Sequence, residues 1–261
     1  MKKLFVLITI FFCLCIIPNA FANFDGFDNF DGDKSKWNTS WIAFGAVLDI
    51  DSGNDWVYFD SNTAGFNNAA WQFTNGEGQT GDNDNDWTLT LAVNVVGPGL
   101  SVADQSVQFG LHVTNPVDNA DCASVTLKLS HDGTTLSKNW DSRIYTSAGG
   151  DWHDTAITSD TSGHVRIVYT AGTTSIATQY SENSGDTWST LKTYDTNVGW
   201  ESPSAFKGGI LGSSIGIAID PEDNVYADSF SAVPEPSTYA LFGIGLLGLI
   251  GGWMRKQRRK L

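Results

Sequence analysis

Through the middle of this chain apolar residues recur at every second position, and nowhere do they keep a sustained helical spacing. Trp87, Leu89, Leu91, Val93 and Val95 alternate with Thr88, Thr90, Ala92 and Asn94. Val107, Phe109, Leu111 and Val113 alternate with Gln108, Gly110, His112 and Thr114, and Val125, Leu127 and Leu129 with Thr126, Lys128 and Ser130. Successive side chains of a strand point to opposite faces, so a period of two describes strands with one dry and one wetter face, the pattern of antiparallel packing. Turn residues punctuate the runs, as at Asn115-Pro116-Val117-Asp118-Asn119 and His131-Asp132-Gly133. Further short strands are expected at residues 165–169, 175–180, 187–191 and 216–219. Many short strands without helices favour an all-β, two-sheet antiparallel sandwich over a small barrel.

The two ends are of another kind. Lys2 and Lys3, an unbroken apolar stretch over residues 4–17, Pro18, and the small residues Ala20 and Ala22 have the layout of a secretory signal peptide (1–22) cleaved after Ala22. The stretch is too short for a bilayer core of about 30 Å, and Pro18 interrupts a helix. Cys13 and Cys15 leave with it, so the body (23–233) keeps one cysteine, Cys122, and forms no intramolecular disulfide.

At the other end Pro234-Glu235-Pro236 precede an apolar run and the basic tail (255–260) of Arg255, Lys256, Arg258, Arg259 and Lys260. The apolar residues 239–254 rise about 24 Å as a helix, so a transmembrane helix over about 238–254 is a minimal span. The basic residues stay cytoplasmic, which leaves the body outside. Proline cannot continue a helix and biases the residue before it to extended backbone, so residues 233–236 are expected to be extended and open to a protease.

Tripeptide, Gly/Leu-rich helix and basic cluster, in that order over residues 233–261, resemble a PEP-CTERM sorting signal. The resemblance implies a Gram-negative-type envelope and an exosortase-type membrane protease-transpeptidase as partner. It implies cleavage near the tripeptide, a transient membrane anchor, and delivery of the body to the cell surface or an exopolysaccharide matrix. In the body, Phe27-Asp28-Asn29-Phe30 followed by Lys36-Trp37-Asn38 resembles the opening of concanavalin A-like, laminin-G-like jelly-roll domains. Residues 163–169 with Thr187-Trp188 resemble their central hairpin, and residues 224–230 their closing strand. This second resemblance implies that first and last strands pair, bringing Asn23 and the sorting tail to neighbouring edges.

Eight Lys and Arg against 28 Asp and Glu give residues 23–233 a net charge of −20. Nucleic acid and anionic lipid are bound by basic residues that neutralise phosphates, so neither is an expected partner of the body.

A glycosidase needs two carboxylates about 5–9.5 Å apart. The glutamates Glu77, Glu182, Glu201 and Glu222 form no such run, and Asp49 and Asp51 share a strand face without a third group to raise either pKa. The histidines His112, His131, His153 and His164 come with no nucleophile elbow and no zinc-ligand spacing; His112 and His164 are expected at the surface or an edge. No catalytic residue is therefore assigned. Asp82-Asn83-Asp84-Asn85-Asp86 is the one metal-like run, but Trp87 stands where an EF-hand loop needs Gly and Val93 offers no bidentate carboxylate. Asp82, Asp84 and Asp86 are weak calcium candidates against a plain hairpin loop, and Asp25, Asp28, Asp31 and Asp33 form a second cluster. No cofactor is required; calcium, if bound, is expected to stabilise the fold. Residues 181–188 resemble the Asp-box hairpin of sialidase-like propellers, but a single copy reads as a hairpin turn.

Nine tryptophans remain in the body. Trp87, in phase with Leu89 and Leu91, belongs to the core; Trp140 and Trp152, flanking Ser147-Ala148-Gly149-Gly150, are the candidates for exposure and ligand contact. The expected function is a non-catalytic surface or matrix β-sandwich acting in adhesion or exopolysaccharide association. A lectin-like carbohydrate-binding domain is the alternative and a divergent glycoside hydrolase the third reading. Exposed aromatic residues along one sheet face would favour the second, and two facing carboxylates there the third.

Overall fold

The computed structural model describes residues 26–74, 81–201 and 205–234. The expected signal peptide, transmembrane span and basic tail lie outside them; among the described residues no helix is long and apolar enough to cross a membrane. The strands are β1 (Gly26–Asp28), β2 (Trp37–Phe44), β3 (Val47–Asp51), β4 (Trp56–Asp60), β5 (Phe66–Phe73), β6 (Gly81–Asp82), β7 (Trp87–Val95) and β8 (Gln105–Thr114). They continue with β9 (Cys122–His131), β10 (Leu136–Tyr145), β11 (Asp151–Ile157), β12 (Ser162–Thr170), β13 (Ser175–Ser181), β14 (Ser189–Asp195), β15 (Ala205–Ile215) and β16 (Val225–Pro234).

They form two antiparallel sheets. The first runs β14-β13-β12-β7-β16-β4-β3 with β1 added on β16; the second runs β11-β10-β9-β8-β15-β5-β2 with β6 added on β15. The alternation read in the sequence sets the register. Trp87, Leu89 and Leu91 of β7 lie opposite Tyr169, Ile167 and Val165 of β12, and Phe109 and Leu111 of β8 lie opposite Leu127 and Val125 of β9. All ten side chains are buried between the sheets. Each fully buried large apolar side chain contributes about 1.5–3 kcal/mol of transfer free energy. Polar contacts also bridge the two layers, among them the buried hydroxyls of Ser142 and Thr178 at 2.7 Å and the Lys192–Asp154 ion pair at 2.9 Å.

The first and last strands do pair, with Phe27 opposite Ser231. Behind β1, Asp28 is fully buried: it accepts the Phe30 N–H at 2.8 Å and the Trp37 indole N–H at 2.5 Å. That carboxylate of the second acidic cluster is thereby a structural cap.

The expected strand at residues 216–219 does not form. Gly216 takes a left-handed φ of 68°, the chain turns away after Ile215, and Ile219 makes a single bridge to Ser61. Residues 181–188 are a hairpin turn, with Ser184 and Gly185 left-handed and the Asn183 Oδ1 accepting the Thr187 N–H at 2.9 Å.

Two glycines matter to the outward surface of the second sheet. A Cβ on Gly110 would overlap the Val125 carbonyl, and one on Gly209 the Trp71 carbonyl. Strands approach there more closely than any other residue permits. Gly110→Ala is expected to destabilise the domain by about 1–3 kcal/mol, the usual cost of overpacking, read as a lower urea midpoint at unchanged m.

Candidate functional site

The outward face of the second sheet collects the polar phase of strands whose other phase forms the core. From β8 it receives Gln108, His112 and Thr114, from β9 Ser124, Thr126 and Lys128, and from β10 Asp141, Arg143 and Tyr145. From β15 and β5 it receives Ser213 and Ile215 alongside Asn68 and Phe66. A cavity of about 300 Å³ lies on this face, and no Asp or Glu is among its lining residues.

One end of the cavity is basic. Arg143 Nε donates to Asp141 Oδ2 at 3.3 Å and its Nη1 donates to the Tyr145 hydroxyl at 3.0 Å. His153 Nε2 donates to the other oxygen, Asp141 Oδ1, at 2.6 Å, so the buried carboxylate fixes both neighbours. Burial works against the Arg143 charge, but the Tyr145 hydrogen bond and the Asp141 charge outweigh it, and its pKa is raised. Lys128 lies beside them, its pKa lowered chiefly by burial, with Asp141 offsetting and Arg143 reinforcing the effect. The opposite end is apolar: Phe66 and Phe44 are exposed with their rings 6.0 Å apart, and Ile215 is exposed beside Phe66.

Unsatisfied polar atoms gather on the same sheet face, two of them in residues that line the cavity, Asn68 and His112. Eight buried side-chain N or O atoms lack a hydrogen-bond partner among the described residues; four of them, Asn68 Oδ1, His112 Nδ1, Thr114 Oγ1 and Thr126 Oγ1, project onto this one face. Buried polar groups in folded proteins are nearly always paired, so their concentration marks a surface built to bond something else. His112 itself is buried rather than at the surface or an edge as the alternation suggests, because the Trp41 ring covers it at 5.4 Å. Burial pushes its pKa down to about 4, which keeps the imidazole neutral. Cys122 also lines the cavity, but burial pushes its thiol up to about 11 and leaves it protonated and unreactive.

The residues singled out from the sequence fall elsewhere. Trp140 is fully buried, which corrects the expectation of exposure. Outward residues of β10 are Asp141, Arg143 and Tyr145, so position 140 must point inward, where its ring stacks on Tyr180 at 5.3 Å and its N–H donates to Glu182 at 3.1 Å. Trp152 is half-buried on the same inward phase of the edge strand β11 and packs on Tyr194 at 5.0 Å. Nor are Asp82, Asp84 and Asp86 brought together around an ion. Asp82 accepts the Asp84 N–H at 2.8 Å and the Asn85 amide at 2.7 Å, while Asp86 accepts the Ala171 N–H at 2.7 Å. Among the described residues no three His, Cys, Asp or Glu are placed to share a metal. Asp49 lies on the edge strand β3 of the first sheet, ion-paired with Lys34, and is not among the residues that line the cavity. Reading Leu136–Tyr145 as a strand would have exposed the Arg143/Tyr145 pair, but its alternation is broken by Lys138 and Ser142 at inward positions.

Beyond the body, residues 232–259 match the PEP-CTERM protein-sorting motif. The chain carries this sorting signal. A PEP-CTERM motif implies an exported, membrane-transiting protein and exosortase processing. The motif begins inside β16, so no linker separates the sandwich from Pro234-Glu235-Pro236. The sequence matches no curated protein.

Structural neighbours of the sandwich that precedes the motif are jelly-roll domains. The CBM2 module of the Lactobacillus casei BL23 phage J-1 evolved Dit superposes with a TM-score of 0.53 at 10% identity, over 80% of this chain and 94% of that one. A GH43 glycoside hydrolase engineered to display both endo-xylanase and exo-arabinofuranosidase activity gives 0.51 at 11% identity, over 80% of this chain and 41% of its own length. The exoplasmic/lumenal domain of VIP36 in its Ca²⁺/Man2-bound form gives 0.47 at 12% identity, over 78% and 85%. At these identities the likeness is one of fold.

Proposed function

We propose that residues 23–233 form a non-catalytic, saccharide-binding sandwich that works in adhesion or matrix association after export and exosortase processing. In this reading residues 1–22 are removed as a signal peptide, the helix over 238–254 anchors the chain transiently, and the body ends on the cell surface or in an exopolysaccharide matrix. The observation that carries it is the outward face of the second sheet, where the exposed Phe66 ring at one end and polar residues with an unpartnered atom, Asn68 and His112, line one cavity. Saccharides present apolar C–H faces that stack on rings and hydroxyls that bond to fixed donors and acceptors, the two kinds of surface found here. The cavity lining offers no carboxylate, and Asp141 beside it is held by Arg143 and His153, which supports binding over glycoside hydrolysis.

Affinity electrophoresis of residues 23–236 through gels containing a panel of neutral and acidic polysaccharides tests this. Retardation by at least one polymer is expected, together with a loss of about tenfold in affinity for Phe66→Ala, whose exposed ring is not needed by the core. Migration unchanged by every polymer would reject saccharide binding, and release of new reducing ends would reject the non-catalytic assignment.

A further inference from the structure

The charge of the cavity is opposite to that of the body around it. Acids outnumber bases 28 to eight between residues 23 and 233, yet the lining holds two bases, Lys128 and Arg143, and no acid. Asp141, just beneath, is already bonded by both Arg143 and His153. Lys128 has no ion-pair partner among the described residues, although it is drawn part-way into the sheet surface. An unpaired, partly desolvated ammonium costs stability without a compensating anion, and the cost is repaid only when one arrives. Arg143 is held by Asp141 and Tyr145 through Nε and Nη1 alone; its fork is therefore oriented, with further N–H groups on the cavity side. A fixed guanidinium beside an ammonium is the arrangement that takes a planar or tetrahedral oxyanion, whereas a neutral hydroxyl needs neither. The neutral His112, which lines the same cavity beneath the Trp41 ring, adds no charge that would compete for the anion.

We infer that the ligand of this face is an anionic polysaccharide, its carboxylate or sulfate groups held by Arg143 and Lys128 while another ring of the same polymer rests toward Phe66; this rests on the saccharide-binding reading above. The body's overall charge of −20 repels polyanions at long range, so binding is confined to this face and reports on these two residues rather than on a general basic surface.

Matched polymers separate the possibilities: polygalacturonate against its fully methyl-esterified form, and dextran sulfate against dextran, each in affinity electrophoresis at low and high salt. Retardation by a charged member over its neutral partner by at least tenfold is expected, and which pair shows it tells uronate from sulfate recognition. Lys128→Gln, which breaks no ion pair, and Arg143→Gln should each weaken it by about tenfold, while Lys192→Gln on β14 should not; melting curves of all three establish that they fold. Binding of neutral polymers only, or equal binding of both members of each pair, overturns the anionic assignment and leaves the saccharide reading standing. Retardation by neither the matched pairs nor the wider panel overturns both.

Discussion

A chain that stops at Asp228 should not fold, and the processed protein should keep every residue through Pro234. β16 is an interior strand: Ala232 lies opposite Leu89 of β7 on one side and Gly26 of β1 on the other. Phe230 is fully buried against Trp37 at 5.0 Å and Phe73 at 4.8 Å, and Ala232 is buried beside it. Removing a buried phenylalanine side chain costs about 3–5 kcal/mol, comparable with the whole stability of a small domain. Losing the strand also strips hydrogen-bond partners from β7. Since the sorting motif begins at residue 232, a protease cutting before Val233 would first have to peel β16 from the sheet. The cut is therefore expected at or after Pro234, with the folded body held directly at the outer membrane face. Intact-mass measurement of the surface form decides this. A terminus before Val233 would contradict the argument, and retention of residues 239–261 would show an ordinary anchor with no processing. Phe230→Ala, in a chain of residues 23–236, should lower stability by about 3–5 kcal/mol.

Acid should weaken the sandwich through His112. The imidazole titrates near 6.5 in the unfolded chain and near 4 when buried, so between those values the unfolded state binds the proton that the folded state refuses. Stability therefore rises with pH across that window and is lost as pH falls from about 6.5 to about 4, with no further loss from this group below it. Each pH unit of separation corresponds to about 1.4 kcal/mol, which makes the full loss about 3 kcal/mol. Urea unfolding of the wild type and of His112→Gln across pH 4–7.5 isolates the effect, because every other titrating group is common to both. The wild type should lose about 3 kcal/mol relative to the variant; parallel curves would show that the buried ring is not the cause.

Alternation in β7, β8 and β9 was enough to name the core residues of three central strands. A period of two assigns each side chain to one face, and burial of that face leaves no competing register. The sorting signal was legible through its resemblance to a known motif, because tripeptide, apolar run and basic cluster follow one another along the chain and need no tertiary partner. Other elements were hidden for physical reasons. β15 reads Ala205-Phe206-Lys207-Gly208-Gly209, where small residues are demanded by close strand approach rather than by alternation. Trp140 and Trp152 lie near a correctly read hairpin loop, but which face they occupy depends on the phase of strands whose inward positions include Ser142 and Asp154. Local spacing could mark Lys128 and His112 as outward, yet it could not bring them beside Arg143 and Phe66, which are 15 and 46 residues away from them respectively. By itself the sequence determined the class of fold and the presence of a sorting motif at residues 232–259, since period and the order of tripeptide, apolar run and basic cluster are properties of contiguous residues. Only the tertiary structure decided the candidate site, because β5, β8, β9, β10 and β15 become neighbours through sheet topology, and a cavity with a basic end and an aromatic end exists only once they do.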